Sequence, residues 1–116
     1  MKRIAILASG EGTNAENIIR YFSERKTAKV VVVITNKAQA GVLNRADKLG
    51  IPTEFIPAQD FTEGRALEVL HRYQTDFIAL AGFLLRVPDD ILHDYPNKIV
   101  NIPVSYTHLT LPTKRI

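Results

Sequence analysis

The apolar residues of this 116-residue chain fall into short runs separated by helical stripes. Arg3 to Ala8, "RIAILA", leads into glycine-rich sequence and predicts a strand. Behind the glycines, Ala15, Ile18, Ile19 and Phe22 recur at spacings that place them on one helical face. "KVVVVI", residues 29–34, is β-branched and apolar without alternation, as in a strand of a parallel sheet covered on both faces. Leu43, Ala46 and Leu49 form the next helical stripe, which Gly50 ends. A third unit joins a short strand "TEFI", residues 53–56, and a loop through "PAQDF" to a helix near residues 63–74. In that helix Ala66, Val69, Leu70 and Tyr73 share a face. "DFIALAG", residues 76–82, predicts a fourth strand. A short helix follows from about Pro88, where the missing N–H would have had no helical partner. "KIVNI", residues 98–102, predicts the fifth strand.

Strands that alternate with helices in this way predict a doubly wound α/β fold with a mostly parallel, Rossmann-like sheet, because each right-handed crossover returns the chain parallel to itself. The alternation covers residues 1–102, which are expected to form one domain; residues 103–116 continue no such pattern. A hydrophobic content of 46% suits a globular core, and no apolar run reaches the length of a membrane span. "MKRIAILAS" is too short for a signal peptide, so cytoplasm is the expected location and no membrane partner is expected. With no cysteine, disulfides, thiolate metal sites and cysteine nucleophiles are excluded. The net charge of +3 owes two charges to Lys114 and Arg115, in a stretch without acids. The remainder is nearly neutral with its signs interspersed, which argues against a nucleic-acid partner.

A doubly wound sheet binds ligands at the carboxyl ends of its strands, beside the point where strand order reverses. That directs attention to "ASGEGTNAEN" after the first strand, "AGFLLRV" after the fourth and Asn101 at the end of the fifth. Gly10, Gly12 and Ala15 match the loose dinucleotide pattern, but the second strand ends in "ITNK", without the acid that would hold a ribose hydroxyl. No Walker lysine follows the glycines either. An NAD(P)-dependent oxidoreductase therefore stands as a lesser alternative. A smaller anion cradle fits better: the N–H groups of Gly12, Thr13 and Asn14 at a helix start can receive a phosphate without a cationic side chain. The same residues also suit a simple helix cap with glycines that permit a tight turn, and spacing leaves both readings open.

"ILASGEGTNAENII", "ITNKAQAGVLNRADKLGIP", "FIALAGFLLRVPDDIL" and "IVNI", in this order, resemble the N-terminal half of the phosphoribosylglycinamide formyltransferase family. The resemblance implies transfer of a formyl group from the cosubstrate 10-formyltetrahydrofolate to glycinamide ribonucleotide in purine biosynthesis, without a metal. It implies that Gly12, Thr13 and Asn14 hold the substrate phosphate and that Leu85, Arg86 and Val87 contact folate, largely through backbone groups. Arg65 matches an arginine that helps hold the ribonucleotide once "DFTEGRA" is shifted by one residue. Asn101 matches the active-site asparagine of the family motif Asn-Ile-His-Pro. A neutral amide donor near the formyl carbonyl stabilises the oxyanion that develops as an amine attacks.

Where that motif has histidine, this sequence has Pro103. The family's downstream aspartate has no counterpart here, and His108 lies in sequence unlike the family, so it is no substitute. The resemblance thus implies that this polypeptide itself lacks useful transfer activity. Residues 103–116 resemble translated adaptor sequence found at broken gene ends and are expected to be a non-family tail. His71 and His93 are expected at the surface, and Asp89 and Asp90 to favour a helix start rather than to form a catalytic pair. The three histidines lack metal-ligand spacing. A noncatalytic phosphate- or nucleotide-binding domain is the other alternative. Nothing in the pattern sets an oligomeric state.

Overall fold

The computed structural model describes residues 2–25 and 27–102. The first unit is strand β1 (Lys2–Leu7) and helix α1 (Thr13–Ser23), the second strand β2 (Ala28–Thr35) and helix α2 (Gly41–Lys48). Strand β3 (Thr53–Phe55) leads through helices α3 (Ala58–Phe61) and α4 (Arg65–Arg72) to strand β4 (Phe77–Ala81). Helix α5 (Asp89–Asp94) then precedes strand β5 (Ile99–Ile102). The sheet order is β3-β2-β1-β4-β5 and every pairing is parallel, so the order reverses between β1 and β4. This is the expected doubly wound fold, with its ligand-binding end at the exits of β1 and β4.

Helices cover both faces. Ile4, Ile6 and Ala8 of the central strand region pack with Ala15, Ile18, Phe22, Val42 and Ala46 of α1 and α2. Ala5 and Leu7 pack on the other side with Phe61, Ala66, Val69, Leu70 and Ile91. Unbroken apolar sequence in β1 and β2 follows from this double covering. Between Ile4 and Ala5 the β1–β2 register shifts by one residue. The shift explains why the consecutive residues Val31 and Val32 both join the second core, where strict alternation would separate them.

Three local expectations need correction. "PAQDF" is not wholly loop: Ala58–Phe61 makes a helical turn because Phe61, 1% exposed, is drawn into the core against Phe83. The buried positions of α2 are Val42 and Ala46, while Leu43 and Leu49 are half-buried, because α2 packs across α1 as well as the sheet. The helix expected near 63–74 spans Arg65–Arg72, with Gly64 at φ 90 forming its entry. His93 is exposed, as expected. His71 is exposed but is bonded to Asp94 at 2.7 Å, so it links α4 to α5 rather than standing in solvent alone. Asp89 and Asp90 occupy the first turn of α5. The expectations for residues 103–116, Pro103 and His108 among them, lie outside the described residues.

Candidate functional site

The chain leaves β1 through a loop that two elements hold from behind. Gly12 has φ 90, and a Cβ there would lie 2.6 Å from the Cα of Val42, so both backbone conformation and the approach of α2 require glycine. The Val42 N–H donates to the Gly10 carbonyl at 3.2 Å. Arg45 donates from Nε to the Glu11 carbonyl at 2.8 Å and from Nη1 to Glu16 at 2.6 Å. Arg20 also donates to Glu16, at 2.8 Å, and these two bonds, Arg20's first, hold the Glu16 carboxyl below its ordinary pKa. The result is a rigid loop delivering Gly12 to the start of α1.

That helix start bears on the cap alternative. The N-cap is Gly12, without a side-chain cap bond, and exposed Thr13 is the first helical residue. Neither Thr13 nor Asn14 caps the helix. Asn14 instead donates from Nδ2 to the carbonyl of Ile102 at 3.2 Å, which ties α1 to the end of β5 next to Asn101. Its Oδ1 is buried without a hydrogen-bond partner among the described residues. The uncapped N–H groups and the strand end carrying Asn101 are thereby joined.

Asn101 pairs in register with Leu80 of β4 and is half-buried. Alternation along β5 sets it on the face of Ile99, the α4–α5 side. On that side lies the segment that leaves β4. Leu85 and Val87 rest against the core, Arg86 is exposed and donates to Asp89 at 3.0 Å, and Leu84 is 74% exposed. The backbone N–H and C=O groups of Leu85, Arg86 and Val87 make no hydrogen bond among the described residues. A cleft of about 500 Å³ runs from Arg86, Pro88 and Asp89 to Thr62, Glu63 and Gly64. Arg65 begins α4 directly after this cleft but is not on its lining, so the expected ribonucleotide arginine is near the site without a contact to its other members.

The end of β2 contains no carboxylate: Asn36 stands there, and its Oδ1 is bonded to Ser9 at 2.6 Å. This leaves the dinucleotide reading without its ribose acceptor. Beside the loop, a second cleft of about 630 Å³ reaches from Gly10 to Lys37, Gly41 and Phe55, and does not include Gly12, Thr13 or Asn14. Ser9, Asn36 and Arg45 were not among the residues the sequence pointed to. For Ser9 and Asn36 a signal existed, a polar residue directly at each strand exit; for Arg45 there was none, because its role depends on α1 packing against α2.

The model of the formyl transferase family matches residues 2–107. The chain belongs to this family. It is 33% identical over 108 residues to the phosphoribosylglycinamide formyltransferase of Bacillus subtilis (strain 168), covering 88% of this chain and 55% of that protein. It is 35% identical over 106 residues to the trifunctional purine biosynthetic protein adenosine-3 of Bos taurus, 86% of this chain and 10% of that one. The structure of glycinamide ribonucleotide transformylase 1 from Symbiobacterium toebii superposes with a TM-score of 0.81 at 33% identity, over 87% of this chain and 50% of the other. The chain thus spans about half the length of its bacterial relative. Among the described residues no cluster of His, Cys, Asp or Glu could hold a metal ion, and no helix is long and apolar enough to cross a membrane.

Proposed function

We propose that this formyl transferase chain carries the phosphate- and folate-facing half of a site that transfers a formyl group from 10-formyltetrahydrofolate to glycinamide ribonucleotide. The bond from Asn14 to the Ile102 carbonyl carries the reading, because it ties an uncapped helix start to the strand end that bears Asn101. The N–H groups of Gly12, Thr13 and Asn14 receive the 5′-phosphate, favoured by the helix dipole. The unpaired backbone groups of Leu85, Arg86 and Val87 fit the pyrimidine-like edge of a pterin, which presents donors and acceptors in a row. Arg65, exposed at the start of α4, is available to an anionic portion of either ligand.

When bound, the folate supplies the formyl group. The glycinamide nitrogen forms the new C–N bond as the bond to the folate nitrogen breaks, and the proton the amine loses ends on that departing folate nitrogen, so the step balances. Asn101 donates its amide N–H to the carbonyl oxygen as negative charge grows there, an interaction stronger in the transition state than before it.

The test is a titration of the ¹⁵N-labelled chain with glycinamide ribonucleotide, then with inorganic phosphate. Saturable shifts centred on the amides of Gly12, Thr13 and Asn14 with both ligands are expected. Shifts centred on Asn36 to Gly41, or produced by NADH alone, would overturn the proposal. Tight ribonucleotide binding without formyl transfer by the product of a reading frame proved complete would mark a noncatalytic binding domain instead.

A further inference from the structure

Ser9 stands where three strands end. It follows β1, is 4% exposed, and places its Oγ 2.6 Å from Asn36 Oδ1 beyond β2 and 2.9 Å from the Leu84 nitrogen beyond β4. Its own N–H donates to the Gly82 carbonyl at 3.2 Å. The direction of each bond follows from the partners: the Leu84 N–H can only donate and Asn36 Oδ1 can only accept, so the hydroxyl proton goes to Asn36. The hydroxyl donates one bond and accepts one. Both bonds are part-buried, and removing the hydroxyl takes this protein partner from both Asn36 and Leu84.

These bonds grip the β4–α5 loop on either side of Phe83. Phe83, Leu85 and Val87 pack on the core, whereas the Leu84 side chain is 74% exposed, so at that position the backbone is held through Ser9. Ser9 also directly precedes Gly10, where the β1–α1 loop begins. One buried side chain therefore touches the segment after β4 while its backbone starts the segment after β1.

We propose that Ser9 is the positioning residue that sets these two loops against each other, fixing the separation at which the Leu85–Val87 backbone and the Gly12–Asn14 amides hold their ligands. This rests on the folate and phosphate assignments above. Group transfer between two bound molecules tolerates little displacement of either, so a rigid tie between their loops contributes directly to the productive geometry. The β1–α1 loop has its own supports, from Val42 to Gly10 and from Arg45 to Glu11, whereas Leu84 has Ser9. Loss of the hydroxyl should therefore disturb the β4–α5 loop selectively.

The experiment compares the wild-type chain with Ser9→Ala and Ser9→Thr by amide hydrogen exchange, and titrates each with inorganic phosphate and with 10-formyl-5,8-dideazafolate, a stable folate probe. In Ser9→Ala the Leu84 amide should exchange about tenfold faster and the folate probe bind about tenfold more weakly, the effect of one lost part-buried hydrogen bond. Phosphate affinity and the protection of Ile6 and Leu7 in β1 should stay within about twofold, since neither depends on the lost hydroxyl. Ser9→Thr, which keeps the hydroxyl, should recover the wild-type exchange at Leu84. Unchanged Leu84 exchange in Ser9→Ala overturns the proposal, as does equal loss of protection throughout β1, which would mark a general structural role. If the wild-type chain shows no saturable binding of the probe, the folate assignment falls and takes the ligand part of the proposal with it. Leu84 exchange still decides, by itself, whether Ser9 sets the loop.

Discussion

At Gly12 the backbone adopts φ 90 within a space that Val42 leaves open only to a hydrogen atom. Gly12→Ala combines a strained backbone with a clash against a main-chain atom, and should cost about 3 kcal/mol in urea unfolding while abolishing phosphate-induced shifts in α1. Leu84→Ser tests the opposite situation. Its side chain is 74% exposed, so stability should stay within about 0.5 kcal/mol by the same measurement. At this scale the sequence was informative wherever conformation is a property of one residue, as at Gly12, and marked Ser9 only as a polar residue at a strand exit, since its hydroxyl acquires its meaning from Asn36 and Leu84, distant in sequence. Asn14 shows the same division: its place at a helix start was legible, but its bond to Ile102 was not.

Among the elements, α1 and α2 are bound to each other through Glu16, with Arg20 and Arg45 as its partners. The folded protein holds this carboxyl below its ordinary pKa of 4.5, so the unfolded chain takes up a proton first as pH falls. The stabilisation is present above about pH 4.5 and is lost as pH falls through the lower folded value. Thermal melts of wild type and Glu16→Gln should therefore differ at pH 7 and converge in acid, below the lowered folded value. At the other end of the sheet, Gln74 ends α4 at φ 54, a left-handed conformation that glycine adopts freely. Gln74→Gly should stabilise the protein by about 0.5 kcal/mol in chemical denaturation, the relief of that strain exceeding the entropy glycine adds to the unfolded chain. The amphipathic spacing of α1 and α4 made them legible in advance. Helix α3 was not, because four residues are too few to display a period and Phe61 acquires its burial from Phe83.

For the molecule as a whole, β1 is the axis on which both cores depend. Ile6 is fully buried on the α1–α2 side, and Ile6→Ala should cost about 3 to 4 kcal/mol, read as a lower urea midpoint with an unchanged slope. The sequence by itself determined the alternation of strand and helix, the burial of β2 on both faces, and the glycine turn into α1, since these express local periodicity and backbone sterics. Its motifs also pointed to the formyl transferase family. Only the tertiary structure decided that β1 lies between β2 and β4, and so which loops meet. It brought Asn14 to the end of β5, Arg45 behind the β1–α1 loop, and Ser9 between the exits of β2 and β4. The physical reason is that such contacts join residues far apart in the chain: they are selected by the packing of crossovers onto a common sheet, and no local pattern of side chains records which partner a polar group will find.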